Sequence, residues 1–140
     1  MTTSASRQRP TVLVACRQNA GRSQAAAALL RHYAGDRVEV LSGGSEPADE
    51  VHPEVRAVLA ERGLSVDGTP KRFDAEMVKA ADVVVTMGCG EECPYYPGRT
   101  YVDWEVSDPH GKPLDEVRAI VADIDARVRG LLPQLGIEPR

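Results

Sequence analysis

The chain of 140 residues has the length of one domain and can bury a substantial core. Its hydrophobic fraction of 42% and charged fraction of 27% are typical of a soluble globular protein, and its net charge of −4 disfavours a nucleic-acid-binding surface. No apolar run reaches the roughly 18 residues of a membrane-spanning helix, and no signal peptide is recognisable. We expect a cytoplasmic domain over 11–135, between a disordered N-terminal tail at 1–10 and a C-terminal tail at 136–140.

The hydrophobic pattern predicts an alternation of strands and helices. A β-branched run at 11–15 predicts the first strand, and the segment 22–33, rich in alanine and leucine, predicts the helix after it. The later elements are predicted to be a strand at 37–42, helices at 53–62 and 74–81, a central strand at 83–87, a short strand at 100–102 and a helix at 114–132 with an apolar stripe from Leu114. This order predicts an α/β fold, a single-domain doubly wound sheet of four parallel strands with helices on both faces.

The loop between the first strand and the first helix carries the strongest functional signal. A helix N-terminus has unpaired backbone N–H groups and a partial positive charge, so this loop should bind an oxyanion and favour the thiolate of Cys16. Arg22 can grip a tetrahedral anion, Ser23 can hydrogen-bond the sulfur, and Asn19 can brace the loop. The predicted oxyanion-binding residues are Arg17, Gln18, Asn19, Ala20, Gly21, Arg22 and Ser23. The alternative is a buried cysteine with an unrelated surface arginine.

The three cysteines favour redox or nucleophilic chemistry. An odd number without an export signal disfavours a structural disulfide framework. Zinc is the other interpretation, but Cys89 and Cys93 lack two further ligands at customary spacing, and His110 alone does not supply them. We therefore expect neither a metal nor a cofactor.

Three candidate catalytic residues each follow a predicted strand, namely Cys16, Cys89 and Asp108. Parallel sheets bind ligands beyond the carboxyl ends of their strands. We therefore expect these residues to meet at one edge of the sheet.

The pattern Cys16-x-x-Asn19-x-x-Arg22-Ser23 resembles the anion loop of the low-molecular-weight protein tyrosine phosphatase fold. Gln24 and the segment 86–94, Thr-Met-Gly-Cys-Gly-Glu-Glu-Cys-Pro, are similar to the arsenate reductase branch of that fold. The resemblance extends from residue 11 to the C-terminal helix. It implies that Cys16 attacks arsenate and that Asp108, in an Asp-Pro pair, is the general acid. His110 is a rival acid.

The resemblance also implies how arsenite is released. Cys89 would attack the sulfur of Cys16, and Cys93 would then take over the disulfide for reduction by a thioredoxin. Only three residues separate Cys89 from Cys93, fewer than in the better-known thioredoxin-linked pattern. An adduct of mycothiol or glutathione on Cys16, removed by a redoxin, therefore stays an alternative.

Some relatives hold a potassium ion behind the anion loop through Asn, Glu, Ser and Asp side chains. Asn19 and Ser42 match two of these positions, whereas Ala27 and Lys71 occupy the other two. Our hypothesis is that the Lys71 ammonium replaces the cation and supports the loop through Asn19. The alternative is a solvated lysine.

Two other functions are compatible with the same residues. A low-molecular-weight protein tyrosine phosphatase would use Cys16, Arg22 and Asp108, but such enzymes usually carry a tyrosine where this chain has His110, and hydrolysis needs no cysteine pair. A non-catalytic oxyanion or redox sensor would not need Asp108. We expect a monomer without nucleic-acid or membrane partners.

Overall fold

The computed structural model describes residues 9–66, 69–87 and 100–137, and within them the predicted α/β architecture is confirmed. The strands are β1 (Thr11–Cys16), β2 (Glu39–Gly44), β3 (Val83–Met87) and β4 (Thr100–Asp103). The helices are α1 (Arg22–Ala34), α2 (Pro53–Glu61), α3 (Ala75–Ala80) and α4 (Leu114–Gln134), with a 3₁₀ turn at Gly35–Arg37. None of the helices described is long and apolar enough to cross a bilayer.

The four strands form one parallel sheet in the order β2-β1-β3-β4. The central position of β1 places Cys16 between Gly44 on β2 and Met87 on β3. Since all strands run in the same direction, their carboxyl ends share one edge, and Cys16 lies at that edge.

The hydrophobic core lies on both faces of this sheet, as predicted. Val12, Val14 and Val85 contribute to the larger core, which α1, α2 and α4 cover. Leu13 and Val84 point to the opposite face, where α3 covers them. Successive strand residues therefore alternate between two apolar layers, which explains the continuous apolar runs in β1 and β3.

Two local predictions need correction. The second strand, predicted to end at residue 42, continues through Gly43 and Gly44, because Gly44 pairs with Cys16 and also forms a bridge with Arg72. A Cβ atom at Gly44 would lie 2.5 Å from the Arg17 carbonyl oxygen, so the close approach requires glycine. The apolar stripe of α4 begins at Val117, because Leu114 is the first helical residue and is 41% exposed.

Two residues of the predicted tails contact the domain. The carbonyl oxygen of Pro10 accepts a hydrogen bond of 2.8 Å from the Glu39 amide, which adds one contact before β1. Ile137 is buried in the larger core after the end of α4.

Candidate active site

The anion loop, residues 16–23, connects the end of β1 to the first turn of α1. Cys16 is the last residue of β1 and is 2% exposed, and Arg22 is the first residue of α1. Gly21 occupies the N-cap position and supplies no side-chain acceptor to the first helical amides. The loop thus brings the sulfur of Cys16 to a helix N-terminus whose donors are not capped by a side chain.

A backing segment, residues 45–52, binds the carbonyl groups of the anion loop from behind. Four of its amides donate to loop carbonyl oxygens, in the pairs Ser45 to Cys16 (3.3 Å), Glu46 to Arg17 (2.7 Å), Ala48 to Gln18 (3.0 Å) and His52 to Ala20 (2.9 Å). The carbonyl of Asn19 accepts from the Gln24 side chain at 2.9 Å. Every carbonyl from 16 to 20 is therefore bonded on the protein side.

The amide groups of the same loop have no comparable partners. Among the residues that the structure describes, no acceptor receives a hydrogen bond from the backbone amides of 17–23. Consecutive backbone donors at a helix N-terminus form a binding site for an anion. The fixed carbonyls and the available amides give the loop the polarity that an oxyanion requires.

The Asn19 side chain orients a chain of hydrogen bonds that ends at the Cys16 sulfur. Its Oδ1 atom accepts from the Lys71 backbone amide at 2.9 Å, which fixes Nδ2 on the other side. Nδ2 donates to Ser23 Oγ at 2.7 Å. Since Ser23 accepts this bond, its own proton is available to Cys16 Sγ, 3.0 Å away. The Ser23 hydroxyl thus links the Asn19 side chain to the Cys16 sulfur.

The same asparagine has an unusual backbone conformation. Asn19 has a φ of 50°, in the left-handed region that asparagine tolerates better than most residues. Its side chain is fully buried and also lies 3.3 Å from the Gln24 amide nitrogen. The predicted role of Asn19 in bracing the loop thus corresponds to a buried side chain whose oxygen and nitrogen atoms both form hydrogen bonds.

The contact of Lys71 with the loop differs from our hypothesis. The group that reaches Asn19 is the backbone amide of Lys71, and not its ammonium. Partial burial, and then the nearby charge of Arg31, lower the pKa of the Lys71 side chain. Ser42 is buried in β2, opposite Val14, and Ala27 is buried in α1. No group of three or more His, Cys, Asp or Glu side chains within the described ranges is placed to hold a metal ion.

Arg22 connects the anion loop to an acid loop that we define as residues 104–112. Its Nη1 atom donates to the Val106 carbonyl oxygen at 3.2 Å, and its Nη2 atom lies 3.9 Å from Asp108 Oδ2. The Arg22 side chain is 12% exposed and that of Asp108 is 53% exposed. The structure thus brings Cys16, Arg22 and Asp108 to one edge, as the sequence predicted for Cys16 and Asp108.

The remaining predicted residues lie farther out or are not described. Arg17 is half-exposed at the rim, where its side chain lies 3.8 Å from Glu46. His110 is exposed, and its amide donates to Asp108 Oδ1 at 3.0 Å. Cys89 and Cys93 fall outside the described residues. The backing segment was not predicted, because hydrogen bonds between main-chain groups leave no residue pattern.

The sequence matches the family described as low molecular weight phosphotyrosine protein phosphatase over residues 11–139. The chain belongs to this family. A relative of this family member, a putative arsenate reductase from Halobacterium salinarum, is 38% identical over 125 residues, which cover 85% of the chain and 88% of the relative. The family membership predicted from the anion loop is therefore confirmed. The name of this relative places that relative in the arsenate reductase branch.

Two solved structures that are similar to this chain are also named arsenate reductases. The thioredoxin-dependent arsenate reductase of Corynebacterium glutamicum superimposes with a TM-score of 0.80 and 46% identity, covering 91% of this chain and 62% of that chain. The arsenate reductase of Archaeoglobus fulgidus superimposes with a TM-score of 0.74 and 30% identity, covering 89% and 98%. This chain thus spans less than two thirds of the Corynebacterium protein.

Proposed function

We propose that this protein reduces arsenate to arsenite, with Cys16 as the nucleophile. The observation that carries the proposal is the buried Cys16 sulfur, hydrogen-bonded to the Ser23 hydroxyl that Asn19 also binds, inside a loop of available amides. An oxyanion bound by these amides would lie next to the sulfur that attacks it. The names of the relatives support arsenate as the anion.

The first step forms a bond between sulfur and arsenic. The Cys16 thiolate attacks arsenic(V), and one oxygen leaves while the loop amides and Arg22 hold the others. Asp108 gives its proton to the leaving oxygen, which is a hydroxyl group of arsenate and so departs as water. Its position 3.9 Å from Arg22 supports this role, because Arg22 also binds the anion.

The second step reduces arsenic. A second thiolate attacks the Cys16 sulfur, a disulfide forms, and the electron pair of the sulfur–arsenic bond stays on arsenic, which leaves as arsenite. Two thiols are oxidised and arsenic(V) becomes arsenic(III), so the electrons balance. We propose Cys89 as this second thiol. In the sequence, Cys89 comes two positions after Met87, and Met87 on β3 pairs with Cys16 on β1.

Regeneration needs an external reductant. Attack of Cys93 on Cys89 would free Cys16 and leave a Cys89–Cys93 disulfide for a dithiol protein of the thioredoxin class. The Corynebacterium relative is named thioredoxin-dependent, which supports this class. In the alternative, the thiolate of mycothiol or glutathione attacks the Cys16 sulfur and expels arsenite, and a redoxin then removes the thiol from the mixed disulfide on Cys16.

The test is a single turnover of fully reduced protein without added reductant, followed by mass mapping of the disulfides. The internal relay predicts one arsenite per chain, a disulfide involving Cys89, and no release from Cys89→Ser. Arsenite that forms only after a small thiol is added, with the thiol's mass on Cys16, would establish the external-thiol route. Arsenate binding without any arsenite under either condition would contradict the proposal and favour a sensor.

Hydrolysis of phosphate monoesters is the second candidate, because the family is described by phosphotyrosine phosphatase activity and Cys16, Arg22 and Asp108 also suit phosphorus(V). Water would then hydrolyse a phosphocysteine, and no second thiol would be consumed. The variant Cys89→Ser separates the two functions. It should abolish arsenite release by the internal relay and leave the hydrolysis of an aryl phosphate unchanged.

A further inference from the structure

Two histidine rings connect the backing segment to the acid loop. His52 is the N-cap residue of α2 and is 8% exposed, and its amide donates to the Ala20 carbonyl oxygen at 2.9 Å. His110 belongs to the acid loop and is exposed. The ring centroids lie 4.4 Å apart and the ring planes are inclined by 33°. This spacing is that of a stacked aromatic pair.

The same contact region includes the proline that follows Asp108. A Cβ atom at Gly21 would lie 2.9 Å from Pro109 Cγ and 3.1 Å from His52 Cδ2. Gly21 therefore allows the proline of the acid loop and the ring of the backing segment to pack together against the anion loop. Pro109 and His110 are consecutive, so one short segment after Asp108 contacts both the anion loop and the backing segment.

Asp108 itself has weak anchors. Its carboxylate accepts the His110 amide at 3.0 Å, and its carbonyl accepts the Lys112 ammonium at 2.9 Å, but both partners belong to the acid loop. Outside that loop, its only ionic partner among the described residues is Arg22, at 3.9 Å. The position of Asp108 above the anion loop must therefore depend largely on the residues around it.

The surroundings of His52 lower its pKa and so favour the neutral ring. Burial is the main cause that lowers the pKa of His52, and the neighbouring His110 and Arg22 also lower it. Asp108 and Glu54 act in the opposite direction. A neutral imidazole stacks without the like-charge repulsion that two protonated rings would have.

We propose that His52 is a positioning residue, which stacks on His110 and thereby holds the acid loop over the anion loop so that Asp108 reaches the leaving oxygen. The structural part of this proposal is that His52 holds the acid loop in position, and it can be tested without any enzymatic activity. The catalytic part rests on the proposed arsenate reduction. His52 acts through His110 and Asp108, and touches no reacting atom.

The structural part is tested by hydrogen exchange of the acid loop in the full-length chain. We expect His52→Ala to increase exchange of the His110 amide by about two- to tenfold, the range for the loss of one aromatic pair. His52→Phe should restore protection, because phenylalanine keeps a ring at that site. His32→Ala is the matched control, since His32 also contacts an aromatic ring, that of Tyr33, with centroids 5.0 Å apart.

The catalytic part is tested by single-turnover arsenite release. We expect His52→Ala to slow the step by about tenfold, as a misplaced group does, without changing the affinity for inorganic phosphate as a competing oxyanion. His52→Phe should recover most of the rate. In an Asp108→Ala background, His52→Ala should add no further loss, because the residue that it positions is absent. A general loss of structure would instead add to the Asp108 effect.

Two results would overturn the inference. One is unchanged exchange of the His110 amide in His52→Ala, and the other is an equal loss of rate in that variant with and without Asp108. If the parent protein releases no arsenite, the proposed function fails, while the exchange experiment still decides whether His52 holds the acid loop.

Discussion

The anion loop and the acid loop differ in how their polar groups are held. In the anion loop, the carbonyls from 16 to 20 are all bonded, and the Asn19 side chain is fully buried. In the acid loop, the carboxyl group of Asp108 is 53% exposed and lies 3.9 Å from its ionic partner. One loop is fixed by many hydrogen bonds from other segments, whereas the other depends on a few peripheral contacts.

This difference corresponds to two chemical tasks. Donors that stabilise developing charge are most effective when they need no rearrangement during the reaction, which favours a rigid anion loop. A proton donor must admit the substrate and release water, so a less constrained loop is suitable. The following predictions test the contrast, beginning with the largest expected effect.

Replacing Arg22 by lysine should disrupt both loops together. Lysine lacks the planar guanidinium group with which arginine can bind an oxyanion and the Val106 carbonyl at the same time. We therefore expect arsenite release to slow by about 1,000-fold, which corresponds to a rise of roughly 4 kcal/mol in the activation free energy. Single-turnover kinetics measure the loss. Arg118→Lys is the control, because Arg118 pairs with Glu61 and Asp115 on the surface. A loss below tenfold in Arg22→Lys would show that the loop amides alone hold the anion.

Replacing Asn19 by alanine should test how far the anion loop depends on its buried network. The change leaves the Lys71 amide without an acceptor, removes the donor to Ser23 Oγ and strains a φ of 50°. We expect a loss of about 3 kcal/mol in the free energy of unfolding, measured with urea. Asn19→Gly removes the same side chain but tolerates this backbone angle, and should recover about 1 kcal/mol. Equal stability of the two variants would contradict a strained backbone.

Sequence patterns predicted the parts of the molecule that depend on local signals. The apolar runs of β1 and β3, the glycine before α1 and the spacing from Cys16 to Arg22 act within a few residues of each other. Hence the sheet, the anion loop and the cluster of Cys16, Arg22 and Asp108 were expected. The resemblance to a known family then directed attention to Asp108.

The rest depends on contacts between distant backbone groups. Lys71 contacts Asn19 through its backbone amide. Every residue except proline has this group, so the identity of the Lys71 side chain could not predict the contact. His52 precedes a proline at the start of α2 and reads as part of a turn, although its ring meets His110. The predicted relay residues Cys89 and Cys93 lie outside the described ranges, and their role stays a proposal.

Replacing Asp108 by asparagine should affect the reaction and leave the fold almost unchanged. Asparagine keeps the shape but has no acidic proton, so we expect arsenite release to slow by about 100-fold. The midpoint of urea unfolding should stay within experimental error, because the side chain is half-exposed. His110→Ala is the informative comparison. A greater loss in His110→Ala than in Asp108→Asn would assign the acid to His110.

The pKa of His52 should make part of the stability depend on pH. This pKa is lowered in the folded state, so below about pH 6.5 the unfolded chain takes up a proton that the folded protein resists. The contribution is fully present above that pH and is lost as the pH falls towards the folded-state pKa. The free energy of unfolding of the parent, relative to His52→Phe, should therefore decrease on acidification. A difference that does not change with pH would contradict the prediction.

The smallest effect is expected at a buried hydroxyl behind the anion loop. Ser45 Oγ has no hydrogen-bond partner among the described residues, whereas Ser23 Oγ bonds to Asn19 and Cys16. Removing an unpaired buried hydroxyl removes the free-energy cost of taking that hydroxyl out of water on folding. Ser45→Ala should therefore leave the free energy of unfolding unchanged or raise it by up to about 1 kcal/mol. Ser23→Ala removes the same atom but breaks two bonds, and should lower the free energy by about 1 to 3 kcal/mol. Equal losses in the two variants, measured in parallel urea titrations, would mean that the Ser45 hydroxyl is satisfied in solution and that the anion loop is supported through this side chain as well as through the Ser45 amide.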